Sequence, residues 1–123
     1  MKEVVIVIEG IEKVYEEIAN SMVERLPERW FTAWFDAVFF PDHEFYSGEY
    51  ISSEGDRASS FPTNRRGQLA LRQLRDMFER ANRPLWCRVR FELHSTGKFN
   101  MNWGYDDCDE NGFAKFNADA EIE

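Results

Sequence analysis

The sequence lacks the features of membrane, secreted and repetitive proteins. It has no run of the roughly 20 apolar residues that a membrane-spanning helix needs, so no membrane partner is expected. Its opening residues, MKEVVIVIEG, place acids on both sides of a short apolar run and offer no small-residue cleavage site, which argues against a signal peptide. It contains no internal repeat and no low-complexity tract, and its 123 residues predict a single domain, 1–123.

Cysteine is scarce, with two residues, Cys87 and Cys108. Two cysteines make neither a disulfide framework nor a spaced set of metal ligands, so we expect reduced thiols and a cytoplasmic location. Cys87 is predicted to be a small core residue. Cys108 lies among four carboxylates that disfavour its thiolate form, so it is predicted to be unreactive.

Basic residues are outnumbered by acidic ones, 15 against 23. The formal charge is therefore −8 and the pI about 4.8. This balance disfavours general binding to nucleic acid or anionic membranes and favours a basic partner. The charge is uneven: residues 1–56 hold 13 acids and 4 bases, residues 57–98 hold 3 and 10, and residues 99–123 hold 7 and 1. Such blocks are usually solvated faces, or else they orient a molecule toward a charged partner.

Hydrophobic periodicity predicts two helices and four strands. One helix is predicted over 11–26 and closed by Pro27, and the other runs from a cap at Thr63 or Asn64 to Pro84. The strands are predicted over 30–40, 44–51, 85–93 and 98–105, with a loop over 52–64. The run Val4 to Ile8 fits a strand or an extra helical turn. The expected fold is α+β, with two helices on one face of a four-stranded antiparallel sheet in the order α-β-β-α-β-β.

Alternation along the strands predicts which side chains face the core. The segment 30–40 is apolar on both faces, which predicts a central strand. In 85–93, the predicted inward residues are Leu85, Cys87, Val89, Phe91 and Leu93, and the predicted outward residues are Trp86, Arg88, Arg90 and Glu92. Phe99, Met101, Trp103 and Tyr105 are predicted to share one face. Outward Trp86 and Trp34 would then be surplus aromatic surface of the kind that forms binding hot spots, and core packing against a terminal segment explains them equally well.

The C-terminal stretch NWGYDDCDENGF contains the opening of a calcium-binding loop. Residues 107–112 supply Asp, Asp, Asn and Gly at the first positions of an EF-hand, but Lys115 and Ala118 stand where later oxygen ligands belong. The simpler interpretation is a polar turn in which Asp and Asn cap their own backbone and Gly112 takes a positive φ. A small metal-binding or hydrolytic domain that uses Asp107, Asp109 and Asn111 remains the alternative.

Other chemistry finds little support in the sequence. His43 and His94 lie apart, in a turn and at a strand end, and no serine has the context of an activated nucleophile. Six arginines line the second helix and its flanks and form a candidate phosphate-binding surface: Arg65, Arg66, Arg72, Arg75, Arg80 and Arg83. The helix aromatic, Phe78, lies on the buried stripe, whereas RNA-binding surfaces expose such rings. Salt bridges on the solvent side of the helix explain the arginines equally well.

The second half of the chain resembles a known family. Residues 84–107, PLWCRVRFELHSTGKFNMNWGYDD, carry Trp86 at a strand start, Gly97-Lys98-Phe99 after a hairpin turn and Tyr105-Asp106-Asp107 at the next strand end. These motifs resemble those of the YezG-like immunity proteins, bacterial antitoxins that neutralise polymorphic nuclease toxins. The Pro-Glu-x-Trp exit of the first helix, at 27–30, is similar to that of the family's opening helix, so the resemblance covers about residues 11–113.

The resemblance implies an immunity protein that is not an enzyme, uses no cofactor and binds a cognate toxin domain, with a homodimer left open. Nucleases hold phosphates in basic clefts, so clustered carboxylates suit a protein that blocks one. The expected partner-binding residues are Tyr105, Asp106, Asp107, Asp109, Glu110, Glu44 and Glu49.

Overall fold

Two helices cover one face of a five-stranded antiparallel sheet in a computed structural model that describes residues 8–55 and 57–115. The elements in chain order are α1 Ile11–Val23, β1 Trp30–Phe39, β2 Glu44–Ser52, β3 Ala58–Ser60, α2 Arg65–Arg80, β4 Arg88–His94 and β5 Phe99–Gly104. The α+β class and the helix-on-sheet packing are confirmed. The conformation of residues 4–7, left open between strand and helix, lies outside the described residues.

The predicted strand count was wrong, because β3 lies in the segment that was expected to be a loop. Its three residues are all exposed and pair with β2, with Ser60 opposite Glu49. A three-residue strand that buries no side chain leaves no periodicity in the sequence to detect. The order is therefore α-β-β-β-α-β-β, and the strands lie side by side as β3-β2-β1-β4-β5.

β1 is the central strand, as its two apolar faces predicted, and it is antiparallel to both β2 and β4. From Ala33 to Phe39 its odd-numbered residues face the helices, and Phe35, like Phe91 of β4, is almost fully buried. From α1, Val14, Ile18 and Met22 enter the same core. Its even-numbered residues lie on the face that the helices leave open.

Trp86 was predicted to point outward, and this was wrong: its side chain is fully buried. β4 begins at Arg88, so Trp86 lies before the strand. The alternation of side chains between the two faces of β4 therefore does not determine where Trp86 points. The ring packs 5.7 Å from Phe39, 5.7 Å from Phe78 and 5.1 Å from Trp103, measured between centroids. Trp86 therefore anchors the covered side of the sheet and is not surplus surface.

The helix ends follow from local sequence. The side chain of Asn64 accepts a hydrogen bond of 2.8 Å from the backbone N–H of Gly67, which caps α2 as predicted. α1 ends at Val23, four residues before Pro27. Within the described residues, neither helix is both long and apolar enough to cross a bilayer.

Candidate partner-binding surface

The residues after β5 form a folded turn, and we name Tyr105 to Gly112 the acidic tip. The chain returns on itself through a bridge between Cys108 and Ala114 and a 3.0 Å hydrogen bond from Lys115 N–H to Asp107 O. Ala114 N–H also donates to Phe39 O at 2.7 Å. The acidic tip is therefore fixed to the end of the central strand, β1.

The Asp109 carboxylate organises this turn from within. Its Oδ1 accepts the backbone N–H groups of Asn111 and Phe113, each at 2.9 Å. These donors lower the pKa of Asp109, the bond from Phe113 most strongly, because they favour its charged form. Gly112 has a φ of +82°, as predicted, and its N–H donates to Asp109 O at 3.0 Å. The predicted polar turn is therefore confirmed for Asp109 and Gly112, whereas Asn111 takes part through its backbone N–H.

Arg75 was expected on the solvent side of α2, but it is half-buried beneath the acidic tip. Its guanidinium donates hydrogen bonds to Gly112 O and, at 3.3 Å, to Trp86 O. It also lies 4.4 Å from the ring centroid of Phe113 and 5.3 Å from that of Phe39. Burial lowers the pKa of Arg75, and surrounding carboxylates, that of Glu79 first, oppose the shift. One cation thus joins α2, β1 and the acidic tip.

Cys87 and Cys108 form a disulfide, with their Cα atoms 5.7 Å apart. The expectation of reduced thiols is therefore corrected, although Cys87 is buried as predicted. Cys87 immediately precedes β4, and Cys108 is inside the acidic tip, 21 residues later. The sequence did not reveal the pairing because it depends on how the acidic tip turns after β5 and brings Cys108 beside Cys87.

The predicted contact residues are grouped in part. Tyr105, Asp106, Asp107 and Glu110 are exposed on the acidic tip, with Tyr105 47% accessible. Asp107 has a φ of +64°, a left-handed conformation that turns the chain there. Asp109 belongs to the same turn, but its Oδ1 is occupied by backbone N–H groups.

The two glutamates of β2 that were predicted to bind a partner, Glu44 and Glu49, lie on opposite faces of the sheet. Glu44 lies on the covered face, ion-paired with Arg72 at 2.6 Å, and it contributes with Asp109 to the field at Arg75. Glu49 is exposed on the open face, opposite Trp34 of β1. Glu44 is therefore near the acidic tip, and Glu49 belongs to a different surface.

The metal and nucleic-acid alternatives were tested against the same geometry. Within residues 8–55 and 57–115, no three side chains of His, Cys, Asp or Glu are grouped to hold a metal ion. Of the six arginines around α2, Arg66 is bonded to Glu17 and Glu24, Arg72 to Glu44, and Arg75 lies beneath the acidic tip. Three of the six arginines of the candidate phosphate-binding surface therefore already bond to other groups of the protein.

Sequence reasoning missed an ordered row of side chains on the open face of the sheet. Trp34 Nε1 donates to Glu92 Oε1 at 2.9 Å, and the other oxygen of Glu92 is 2.9 Å from His94 Nε2. Arg90 forms two 2.8 Å bonds with Asp36 and lies 5.6 Å from the Trp34 ring. The only sequence signal was polar residues at alternate positions of two strands. Their pairing required the register of β1 against β4.

Comparison with known proteins identifies one relationship. The family model described as "Immunity protein YezG-like" matches residues 59–121, just over half of the chain. The match includes Trp86, Gly97-Lys98-Phe99 and Tyr105-Asp106-Asp107, whereas the helix exit at 27–30 lies outside the matched range. No curated protein matches the sequence significantly.

Proposed function

The chain belongs to the YezG-like immunity protein family, and on that premise we propose that it binds and neutralises a cognate toxin through the acidic tip. It acts by binding, not as an enzyme, in the cytoplasm of the cell that it protects. The observation that carries the proposal is a set of exposed carboxylates on a turn whose backbone is fixed at several points.

The proposed toxin is a basic nuclease domain. An enzyme that holds phosphates needs a positive cleft, and exposed carboxylates at Asp106, Asp107 and Glu110 complement it. Tyr105 adds a large, exposed aromatic ring beside them, which is a residue type enriched in binding hot spots. Charge steering raises association rates toward about 10⁸–10⁹ M⁻¹s⁻¹ at low salt, and fast capture suits a protein that must act before damage occurs.

The rigid backbone of the acidic tip supports the same function. The Asp109 cap and the bonds from Arg75 hold the turn before any partner arrives, and the disulfide adds to them under oxidising conditions. Binding then requires little ordering of the loop, which improves affinity. Asp109 and Glu44 contribute to the field of this end of the molecule, and Glu49 extends the proposed contacts toward the open face.

The test uses the product of the adjacent gene as the candidate toxin. Wild-type protein is expected to co-purify with it and to protect cells that express it. Replacing Asp106→Lys and Glu110→Lys together should slow association at least about tenfold at low salt, with a smaller effect at high salt. The matched control, Glu9→Lys with Glu28→Lys, changes two exposed acids by the same charge and should slow association much less. Failure of the wild-type protein to bind or protect would refute the function.

A further inference from the structure

Among the residues that the structure describes, β5 is an edge strand that lacks the usual protection of an edge. It pairs with β4 through six consecutive residue pairs, and within residues 8–55 and 57–115 no strand lies on its other side. Its sequence, Phe99–Gly104, has no charged residue and no proline, and its register shows no bulge. Proteins normally blunt an edge strand with such features, because free backbone groups invite another strand to pair.

The free backbone groups can be assigned to particular residues. His94 N–H donates to Lys98 O at 2.8 Å, which makes this pair one of the hydrogen-bonded pairs of the hairpin. Bonded and non-bonded pairs alternate in an antiparallel ladder. The N–H and C=O groups of Phe99, Met101 and Trp103 therefore point away from β4, toward the edge.

A groove lies at the hairpin end of this edge, between α1 and the turn before Phe99, and has a volume of about 440 Å³. Tyr15 and Phe99 form its apolar wall, with ring centroids 5.3 Å apart, and Phe99 is 41% exposed. Glu12 and Glu16, one turn apart on α1, form its rim. Both are exposed, and neither enters an ion pair with another described residue.

We propose that β5 accepts an extended, basic segment of the toxin as a sixth strand of the sheet. The backbone of that segment would pair with Phe99, Met101 and Trp103, one apolar side chain would enter the groove, and a Lys or Arg would meet Glu12 and Glu16. The occupant is basic because the groove combines an apolar wall with two exposed carboxylates that form no ion pair with any other described residue. This inference rests on the proposed function and adds a second contact surface to the acidic tip.

A second copy of the chain fits the edge less well than a basic segment. Pairing two β5 strands would bring together two chains that each carry a net charge of −8. Like charges at close range disfavour such a dimer. Lys98, at the hairpin turn, is the one basic residue at this end of the edge among the described residues 97–104. Its single positive charge does not balance the acids of the two chains.

Amide hydrogen exchange on the full chain tests the strand addition directly. On binding the adjacent-gene product, the amides of Phe99, Met101 and Trp103 should exchange at least about tenfold more slowly. The amides of Asn100 and Asn102, which already face β4, should change less. Equal protection along the whole strand, or none, would overturn the proposal.

Two pairs of variants separate backbone pairing from the effect of charge. Met101→Pro removes an N–H that faces the edge and leaves the ladder to β4 intact, while Met101→Val keeps the donor. Glu12→Lys with Glu16→Lys reverses the rim, and Glu9→Lys with Glu28→Lys is its charge-matched control. Loss of affinity of about tenfold or more is expected for the first member of each pair, with circular dichroism confirming the fold.

The outcomes distinguish failure of the strand addition from failure of the proposed antitoxin function. If wild-type protein binds and all four variants bind equally, the edge proposal fails and the antitoxin function stands. If wild-type protein does not bind, both fail. Protection of Phe99, Met101 and Trp103 in the free protein also refutes the proposal, and a measured mass then assigns the cover to a second copy or to the chain itself.

Discussion

The guanidinium of Arg75 lies 4.4 Å from the ring centroid of Phe113, on the inner side of the acidic tip. The same cation feels the charges of Glu79, Asp109, Asp76 and Glu44, with Glu79 the strongest of the four. A half-buried positive charge beneath the turn offsets repulsion among the carboxylates above it. Arg75 therefore allows several acids to be held close together at one end of the sheet.

Replacing Arg75→Met should destabilise the protein by about 2–3 kcal/mol, because two carbonyls lose a charged donor while the side-chain stem is kept. Chemical denaturation with urea measures the change. Arg72→Met is the matched control one turn earlier on α2, since Arg72 forms an exposed ion pair with Glu44. That pair should contribute less than about 1 kcal/mol. Equal losses in the two variants would contradict the anchoring role of Arg75.

Reduction of the Cys87–Cys108 disulfide should lower the free energy of unfolding by about 3 kcal/mol. The bond closes a loop with a sequence separation of 21, and a closed loop of this size restricts the unfolded chain by about that amount. Urea unfolding with and without dithiothreitol gives the measurement. The double variant Cys87→Ala with Cys108→Ser should not respond to the reductant. A wild-type midpoint that is unchanged by dithiothreitol would count against the pairing.

Gly112→Ala should destabilise the protein more than Gly97→Ala, although both glycines have positive φ. At Gly97 a new Cβ meets nothing within 4 Å, so only the backbone conformation costs energy, about 1–2 kcal/mol. At Gly112 the Cβ would lie 2.5 Å from Leu85 Cβ and 3.0 Å from Arg75 Nη2, which adds about 1–3 kcal/mol of overpacking. Thermal unfolding of both variants checks the order, which the reverse ranking would disprove.

Asp109→Asn should make stability less sensitive to acid. The pKa of Asp109 is lowered in the folded protein, so its contribution is present above the unfolded value near 3.8 and is lost as the pH falls through the folded value. Asparagine keeps an oxygen that accepts the same two N–H groups but does not titrate. Unfolding midpoints measured from about pH 5 to about pH 2 should fall less steeply in the variant than in the wild type. Parallel curves would show that folding does not favour the ionised form of Asp109.

Periodic patterns of buried side chains were predictable from the sequence. Features that depend on residues close together in the chain were predictable as well. The stripes of α1 and α2, the central position of β1 and the cap at Asn64 follow from residues a few positions apart. The same is true of Gly112, whose positive φ belongs to a local polar turn. These features need no knowledge of the tertiary fold.

Two of the missed features depend on residues that are distant in sequence. The inward position of Arg75 depends on where the acidic tip folds back, and the disulfide depends on how the acidic tip turns after β5. Trp86 precedes its strand, so alternation assigned it to the wrong side. Of the candidate site, the exposed acids could be predicted, whereas the contacts that fix their backbone could not.

The acidic tip contains two kinds of residue: some fix the path of its backbone, and others are only exposed on its surface. Asp109, Gly112 and Cys108 set the path of the chain, while Asp106 and Glu110 are exposed on it. Substitutions at exposed positions away from structural contacts usually change stability by less than about 0.5 kcal/mol. Asp106 and Glu110 can therefore change without loss of the fold. Such a turn can diversify, so related proteins with the same frame can acquire different partners.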